Sequence, residues 1–161
     1  MSYKVIQWAT GGVGQAAISN IAAHPQLELV GCWVSSEEKE GKDVGEICGL
    51  PPMGVNATRD VESLVNLEAD CVMYSPVIAD RSLVIRLLAS GKNVVTPLGW
   101  FYPGNRDVSD LEQACATGGS TLHGTGIHPG GITERFPLMV SALSASITHV
   151  RAEEFSDIRT Y

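Results

Sequence analysis

The sequence predicts an α/β domain with a doubly wound, mostly parallel sheet and helices on both faces. Three observations predict it. Short apolar runs of strand length alternate with segments whose apolar residues recur at helical spacing. The central runs, such as "LELVGCWV" and "ADCVMYS", are almost continuously apolar, as parallel strands covered on both faces are. A glycine-rich turn, "ATGGVG", stands between the first strand run and the first helix. Strands and helices alternating at this spacing imply right-handed crossovers.

Taken in order, "YKVIQW" is a strand. Val13, Ala16, Ala17 and Ile21 share one face of a helix over Val13–Ala23. Leu27–Val34 is the second strand, and the polar loop "SSEEKEGKD" follows. Asp60 is placed to cap a short helix with Leu64 and Val65, and "ADCVMYS" is the third strand run. Asp80 caps a helix in which Leu83, Leu87 and Leu88 recur, ending near Gly91. "KNVVTP" is a further strand. Ser109 and Glu112 form a capping-box pattern before Ala114 and Cys115. "STLHGT" is a strand, and Thr133 is placed to cap a helix through Leu138, Met139, Ala142 and Leu143. The run "ITHVRAEEF" alternates like a one-sided strand. It leads to the expectation of a domain over residues 1–145, with 146–161 beginning a substrate or dimerisation domain.

The chain has 161 residues, enough for one buried core. Its formal net charge of −7 argues against nucleic-acid and anionic-membrane surfaces, which need basic patches. No run approaches the ~20 apolar residues of a membrane span, and the N-terminus lacks the pattern of a signal peptide. Cys32, Cys48, Cys71 and Cys115 are scattered, with no metal-ligand spacing, so no metal site is expected. Cys32 and Cys71 lie in strand runs and read as small buried hydrophobes. A small-molecule partner and a reducing, cytoplasmic setting follow.

The turn fits the dinucleotide fingerprint G-x-G-x-x-G/A in two registers, Ala9–Gly14 and Gly12–Ala17. The first starts directly after the strand, where the tight turn of a Rossmann-type domain must fall. In it, Gly11 lets backbone approach a pyrophosphate and Gly14 packs the helix on the strand. The amides of Gly12, Val13 and Gly14, beside Thr10, would face phosphate from the helix N-terminus. Ala9 stands where glycine is usual, tolerable if its backbone angles stay in the ordinary region. A tight turn that binds nothing is the alternative.

No carboxylate stands at the end of the second strand to take the ribose hydroxyls of NAD(H). Ser35 and Ser36 are there instead, followed by Lys39, and hydroxyls with a lysine favour the 2′-phosphate of NADP(H) over NAD(H). Other strand ends carry small or shape-setting residues, Ser75, Pro76, Thr96 and Gly126, where a nicotinamide would lie. His128, in "GTGIHPGG", is either an acid–base group or a locally bonded loop residue. His123 reads as structural, His24 as a partner of a helix C-terminus and His149 as surface. Trp100 and Tyr102, with Phe101, either wall a substrate pocket or pack in a core or interface. No G-x-S-x-G elbow and no phosphate loop of the G-K-[ST] type is present.

"WATGGVGQAAI", "VSSEEKEGKDVGEICG", "NVVTPLGWFYP" and "GTGIHPGGITERFPL" together resemble the N-terminal domain of the dihydrodipicolinate reductase-like oxidoreductases. Within them the chain is similar to the branch of 2,4-diaminopentanoate dehydrogenase and the native amine dehydrogenases. The resemblance covers nearly the whole chain. It implies a Rossmann domain followed by a substrate domain and NAD(P)-dependent oxidoreduction of a small carbonyl, imine or amine. By analogy with other Rossmann oxidoreductases, the final strand run is a candidate surface for a homodimer through the C-terminal region. In the amine-dehydrogenase branch an acidic residue in the loop corresponding to "TPLGWFYP" works on the amine. No acidic residue is present here from Val94 to Pro103. That departure opens an alternative, a nucleotide-binding or interaction module without catalysis.

Overall fold

The computed structural model describes residues 2–100, 102, 104–128, 130–155, 157 and 159. Contacts divide the chain into two units, Met1–Gly124 and Thr125–Tyr161, ahead of the expected boundary at 145/146.

The first unit is built on six parallel strands in the order β3-β2-β1-β4-β5-β6. They are β1 (Tyr3–Trp8), β2 (Leu27–Trp33), β3 (Ala57–Thr58), β4 (Cys71–Tyr74), β5 (Asn93–Thr96) and β6 (Leu122–Gly124). The strand order reverses at β1, which pairs with β2 on one side and β4 on the other. In such sheets that reversal opens a crevice at the carboxyl ends, beside β1. The two-residue β3, inside a polar stretch, carries no strand pattern of its own and was not expected from sequence. It exists because Val34 N donates to Thr58 O and the end of β2 pairs with it.

Alternate residues of β1 enter two cores. Ile6 and Trp8 pack with Val72, Tyr74 and Val94 against α3 (Val61–Asn66), α4 (Arg81–Ala89) and α5 (Ser109–Gly118). Val5 packs on the opposite face with Leu29 and Cys32 against α1 (Gly12–Ala23) and α2 (Val44–Cys48). Covering is uneven, however. In β4 and β5, Val72, Tyr74, Val94 and Thr96 are buried, while Cys71, Met73 and Val95 are half-buried along an open groove beside α1. The expected full burial of Cys71 therefore fails, whereas Cys32 is buried and its thiol is pushed up to about 12 by desolvation.

Asp60 and Asp80 cap α3 and α4 as expected, accepting from Ser63 N and Leu83 N at 3.1 Å each. The capping box at Ser109 does not form. Val108 is the N-cap residue, Ser109 is already helical, and Asp107 Oδ1 accepts from Ser109 N at 2.9 Å. His24 ends α1, but its ring accepts from Gln26 N at 3.2 Å instead of serving the helix carbonyls.

The family-like loop around Asp43 has a structural reason. Its carboxylate accepts from Gly45 N (2.8 Å), Met53 N (3.0 Å) and Gly54 N (2.7 Å), tying both ends of the excursion together. At Gly45 a Cβ would collide with Pro51 O, so glycine is required. The donated amide protons, Met53's foremost, hold the Asp43 carboxyl below its ordinary value of 3.8. A depressed folded value contributes stability above the unfolded value, and that contribution is lost as pH falls below about 4. Resistance of wild type to urea unfolding is thus expected to weaken below that pH, and Asp43→Asn to remove this part of the slope. A variant slope equal to wild type would refute the assignment.

The second unit carries α6 (Arg135–Ser141), which begins after Glu134 with no side-chain cap. The expected cap, Thr133, uses its hydroxyl to donate to Glu134 Oε2 at 2.7 Å. The expected strand in "ITHVRAEEF" is absent among the described residues. Its alternation is compatible with a strand, but no strand of this unit pairs with it, and unpaired backbone stays hydrated.

Candidate functional site

The turn between β1 and α1 lies at the strand-order reversal. Ala9 N donates to Trp33 O at 3.0 Å. Ala9 adopts φ +77, so the condition of ordinary angles, on which alanine would be easily tolerated here, is not met. The tight turn demands a left-handed residue here, and without glycine the alanine takes the strain. At Gly14 a Cβ would collide with Ala9 O and lie 3.1 Å from Gln7 Nε2, so the helix packs on the strand end only because Gly14 has no side chain. A Cβ on Gly11 or Gly12, in contrast, would meet nothing within 4 Å. Gly11 is the N-cap of the twelve-residue α1, with no capping side chain and no acidic residue in the first turn. Uncapped amides, open space and a positive helix end together suit an anion such as a pyrophosphate. Val13 is exposed at this end of the helix.

Thr10 is buried and links the turn to the loop after β2. Lys39 Nζ donates to Thr10 Oγ1 at 3.1 Å and to Thr10 O at 3.4 Å. Ser36 caps a 3-10 turn over Glu37–Lys39, accepting from Glu38 N at 3.3 Å, and Ser35 beside it is exposed. Lys39 thus joins the loop that carries Ser35 and Ser36 to the glycine turn through Thr10. Arg59, at the end of β3, pairs with Glu37 (2.9 Å) and Glu40 (3.8 Å) across that loop. Sequence reasoning missed Arg59, because nothing before folding brings β3 beside the end of β2.

Ser75 lies across the crevice from the turn. Its N–H donates to Trp8 O at 3.1 Å, and Pro76 follows half-buried. Gln7 Nε2 reaches Ser75 Oγ (2.9 Å), Ala9 O (2.9 Å) and Trp8 O (3.2 Å). Gln7 was also missed, although one amide inside the apolar run "VIQW" is a readable signal. Behind the turn, Trp8 stacks on Trp33 with centroids 5.3 Å apart and leans on Tyr74 at 6.1 Å. Thr96 is buried, and its hydroxyl accepts from Leu98 N at 3.0 Å, shaping the turn that follows. Trp100 packs half-buried against the core, while Tyr102 is 80 % exposed. Phe101 falls outside the described residues.

Gly126 and His128 belong to the second unit. His128 Nδ1 lies 3.2 Å from Thr133 Oγ1, and Nε2 lies 3.2 Å from Glu154 Oε2. The Glu134 carboxyl, which accepts from Gly130 N and Thr133, is held below its ordinary value by the first of these and then by the second. Among the described residues no group of three or more His, Cys, Asp or Glu is arranged to hold a metal ion.

Residues 5–96 match the family described as dihydrodipicolinate reductase, N-terminus. The chain belongs to that family. The matched stretch runs from β1 through the glycine turn to the end of β5. An amine dehydrogenase of Streptomyces virginiae is 32% identical over 98% of this chain and 47% of its own length. A 4-hydroxy-tetrahydrodipicolinate reductase of Synechococcus elongatus is 40% identical over 76 residues, 47% of this chain and 28% of its own length. The chain thus spans about half the length, or less, of the curated relatives it matches. The amine dehydrogenase structure from Mycobacterium smegmatis is similar at a TM-score of 0.77 with 20% identity, covering 91% of this chain and 46% of that one. A biliverdin reductase from Synechocystis, solved with biliverdin and NADP+, is similar at 0.59 with 23% identity, covering 78% and 38%. These two likenesses show the fold. As a member of the dihydrodipicolinate reductase family, the chain is a nucleotide-binding domain of the oxidoreductase type. Among the described residues no helix is long and apolar enough to cross a membrane.

Proposed function

We propose that this domain binds NADP(H) in preference to NAD(H) and presents it for oxidoreduction of a small carbonyl, imine or amine. The observation that carries the reading is the open, uncapped turn at Gly11–Gly14 with the Lys39 ammonium at its edge. The turn would hold the pyrophosphate. Ser35, Ser36 and Lys39 would hold the 2′-phosphate, with Arg59 released from Glu37 to join them. Ser75, Pro76 and Thr96 are proposed for the nicotinamide side, Thr96 through the turn it shapes, and Trp100 and Tyr102 for substrate. The bound nicotinamide supplies hydride chemistry. His128, oriented by Thr133 and Glu154, is this chain's acid–base candidate.

Titration with NADPH and NADH, followed by nicotinamide fluorescence, tests the reading. Saturable binding with NADPH tighter is expected, and folded protein that binds neither would overturn it. Lys39→Ala and Arg59→Ser are each expected to weaken NADPH by about tenfold, the scale of a lost charged hydrogen bond, and to leave NADH nearly unchanged. Equal losses for both nucleotides would remove the 2′-phosphate role.

The lack of an acidic residue from Val94 to Pro103 favours a second reading, a coenzyme-binding module without turnover. Turnover of any amine, imine, aldehyde or ketone, lost in His128→Asn while NADPH still binds, would decide for the enzyme. The four free cysteines fit a reducing cytoplasm. Phe136, Leu138, Met139 and Leu143 are exposed around α6 and support self-association through the C-terminal region. A monomer by light scattering at high concentration would count against that dimer.

A further inference from the structure

Ala9 is the one described non-glycine residue with positive φ. Something must hold it there, because the left-handed region is costly for an L residue with a Cβ. One restraint is the bond from Ala9 N to Trp33 O. The other is the Gln7 side chain. Its Nε2 stands 2.9 Å from Ala9 O, 3.2 Å from Trp8 O and 2.9 Å from Ser75 Oγ, so two protons are shared among three acceptors. Gln7 is fully buried, where such bonds do not compete with water. Its Oε1 is buried with no hydrogen-bond partner in the structure. The side chain therefore acts through its donors. The same Nε2 lies 3.1 Å from where a Gly14 Cβ would be, so the amide forms the floor of the turn under both Ala9 and Gly14.

We propose that Gln7 is a positioning residue for the phosphate turn. It holds the Trp8 and Ala9 carbonyls so that alanine keeps the left-handed conformation a glycine would adopt unaided, and it ties that turn to Ser75 across the crevice. This rests on the reading that the turn binds NADP(H). The chemistry is specific to a strand-end amide donor, which neither Glu nor an apolar residue supplies.

A double-mutant cycle tests it, with NADPH dissociation constants and melting temperatures measured on wild type, Gln7→Met, Ala9→Gly and the double variant. Gln7→Met is expected to weaken NADPH by about tenfold, the scale set by a few lost hydrogen bonds and a relaxed turn. Ala9→Gly is expected to restore most of the loss in the double variant, while the lowered melting temperature of Gln7→Met is not restored to the same degree. A double variant as weak as Gln7→Met, or a Gln7→Met that binds like wild type, overturns the proposal. Side-chain amide exchange of Gln7 in wild type, read by NMR, decides the clamp if Gln7→Met does not fold or if wild type does not bind NADPH. Exchange on the order of a hundredfold slower than that of the exposed Gln113 is expected. Equal rates overturn the clamp, whereas wild type that is clamped yet binds neither nucleotide overturns the functional reading alone.

Discussion

Gly14→Ala is expected to weaken NADPH binding by about a hundredfold and to destabilise the domain. The added methyl would collide with Ala9 O, which the Gln7 amide and the strained Ala9 conformation hold in place. The turn must move away from α1, and the strain of such overpacking is about 3 kcal/mol. If all of it falls on the binding conformation, affinity drops by about a hundredfold. The informative contrast is Gly12→Ala, where a Cβ meets nothing within 4 Å and alanine favours the helix by up to about 1 kcal/mol. That variant is expected to melt no lower than wild type and still to bind NADPH poorly, because its methyl takes space at the open helix end. Paired melting curves and fluorescence titrations check both. If Gly14→Ala melts and binds like wild type, the close packing of helix on strand end is wrong. If Gly12→Ala binds like wild type, the anion does not sit at this helix end.

Trp8→Ala is expected to cost about 3–5 kcal/mol, the range for truncating a large buried aromatic. Trp8 is 1% exposed, stacks on Trp33 and touches Tyr74, so it fastens the ends of β1, β2 and β4 together behind the turn. Since a domain's whole stability is about 5–15 kcal/mol, the variant should lie near the edge of folding. A melting temperature lower by roughly 10 °C and a changed near-ultraviolet circular dichroism spectrum, from loss of the stacked indoles, are the expected readings. A fall of only a degree or two would show that the ring stack is not holding the strand ends. Trp33→Phe, at a half-buried position whose Nε1 is buried without a hydrogen-bond partner in the structure, is expected to be milder.

Strand and helix types were legible where a local physical reason sufficed. Alternating periodicity, Asp60 and Asp80 as caps, and the glycine turn after a strand all act within a few residues of themselves. The errors have a common origin. Ser109 carried a capping-box pattern, yet Asp107 took the amide first, because caps compete over a register that one residue's slip changes. The segment "ITHVRAEEF" had strand alternation but found no paired neighbour, and a strand exists only as one of a pair. Whether Ala9 would keep ordinary backbone angles was open, because a sequence shows residue types and not the angles imposed by the chain on either side. The glycine turn and the polar loop that Lys39 joins to Thr10 were readable from the fingerprint and the loop composition. Arg59 and Gln7 were not assigned, since their roles depend on which strand end lies next to which.

The alternation of strands and helices, the place of the glycine turn and the family were all legible in the sequence, because each rests on short-range periodicity or on residues adjacent in the chain. Only the tertiary structure decided that β3 would flank β2, that Arg59 would face the Ser35–Lys39 loop, and that Gln7 would hold Ala9 in a glycine's conformation. Those outcomes depend on strand order and on the closure of buried hydrogen bonds between distant segments, and such closure is settled when the sheet assembles; the lone amide in "VIQW" marks Gln7 but not the acceptors it meets.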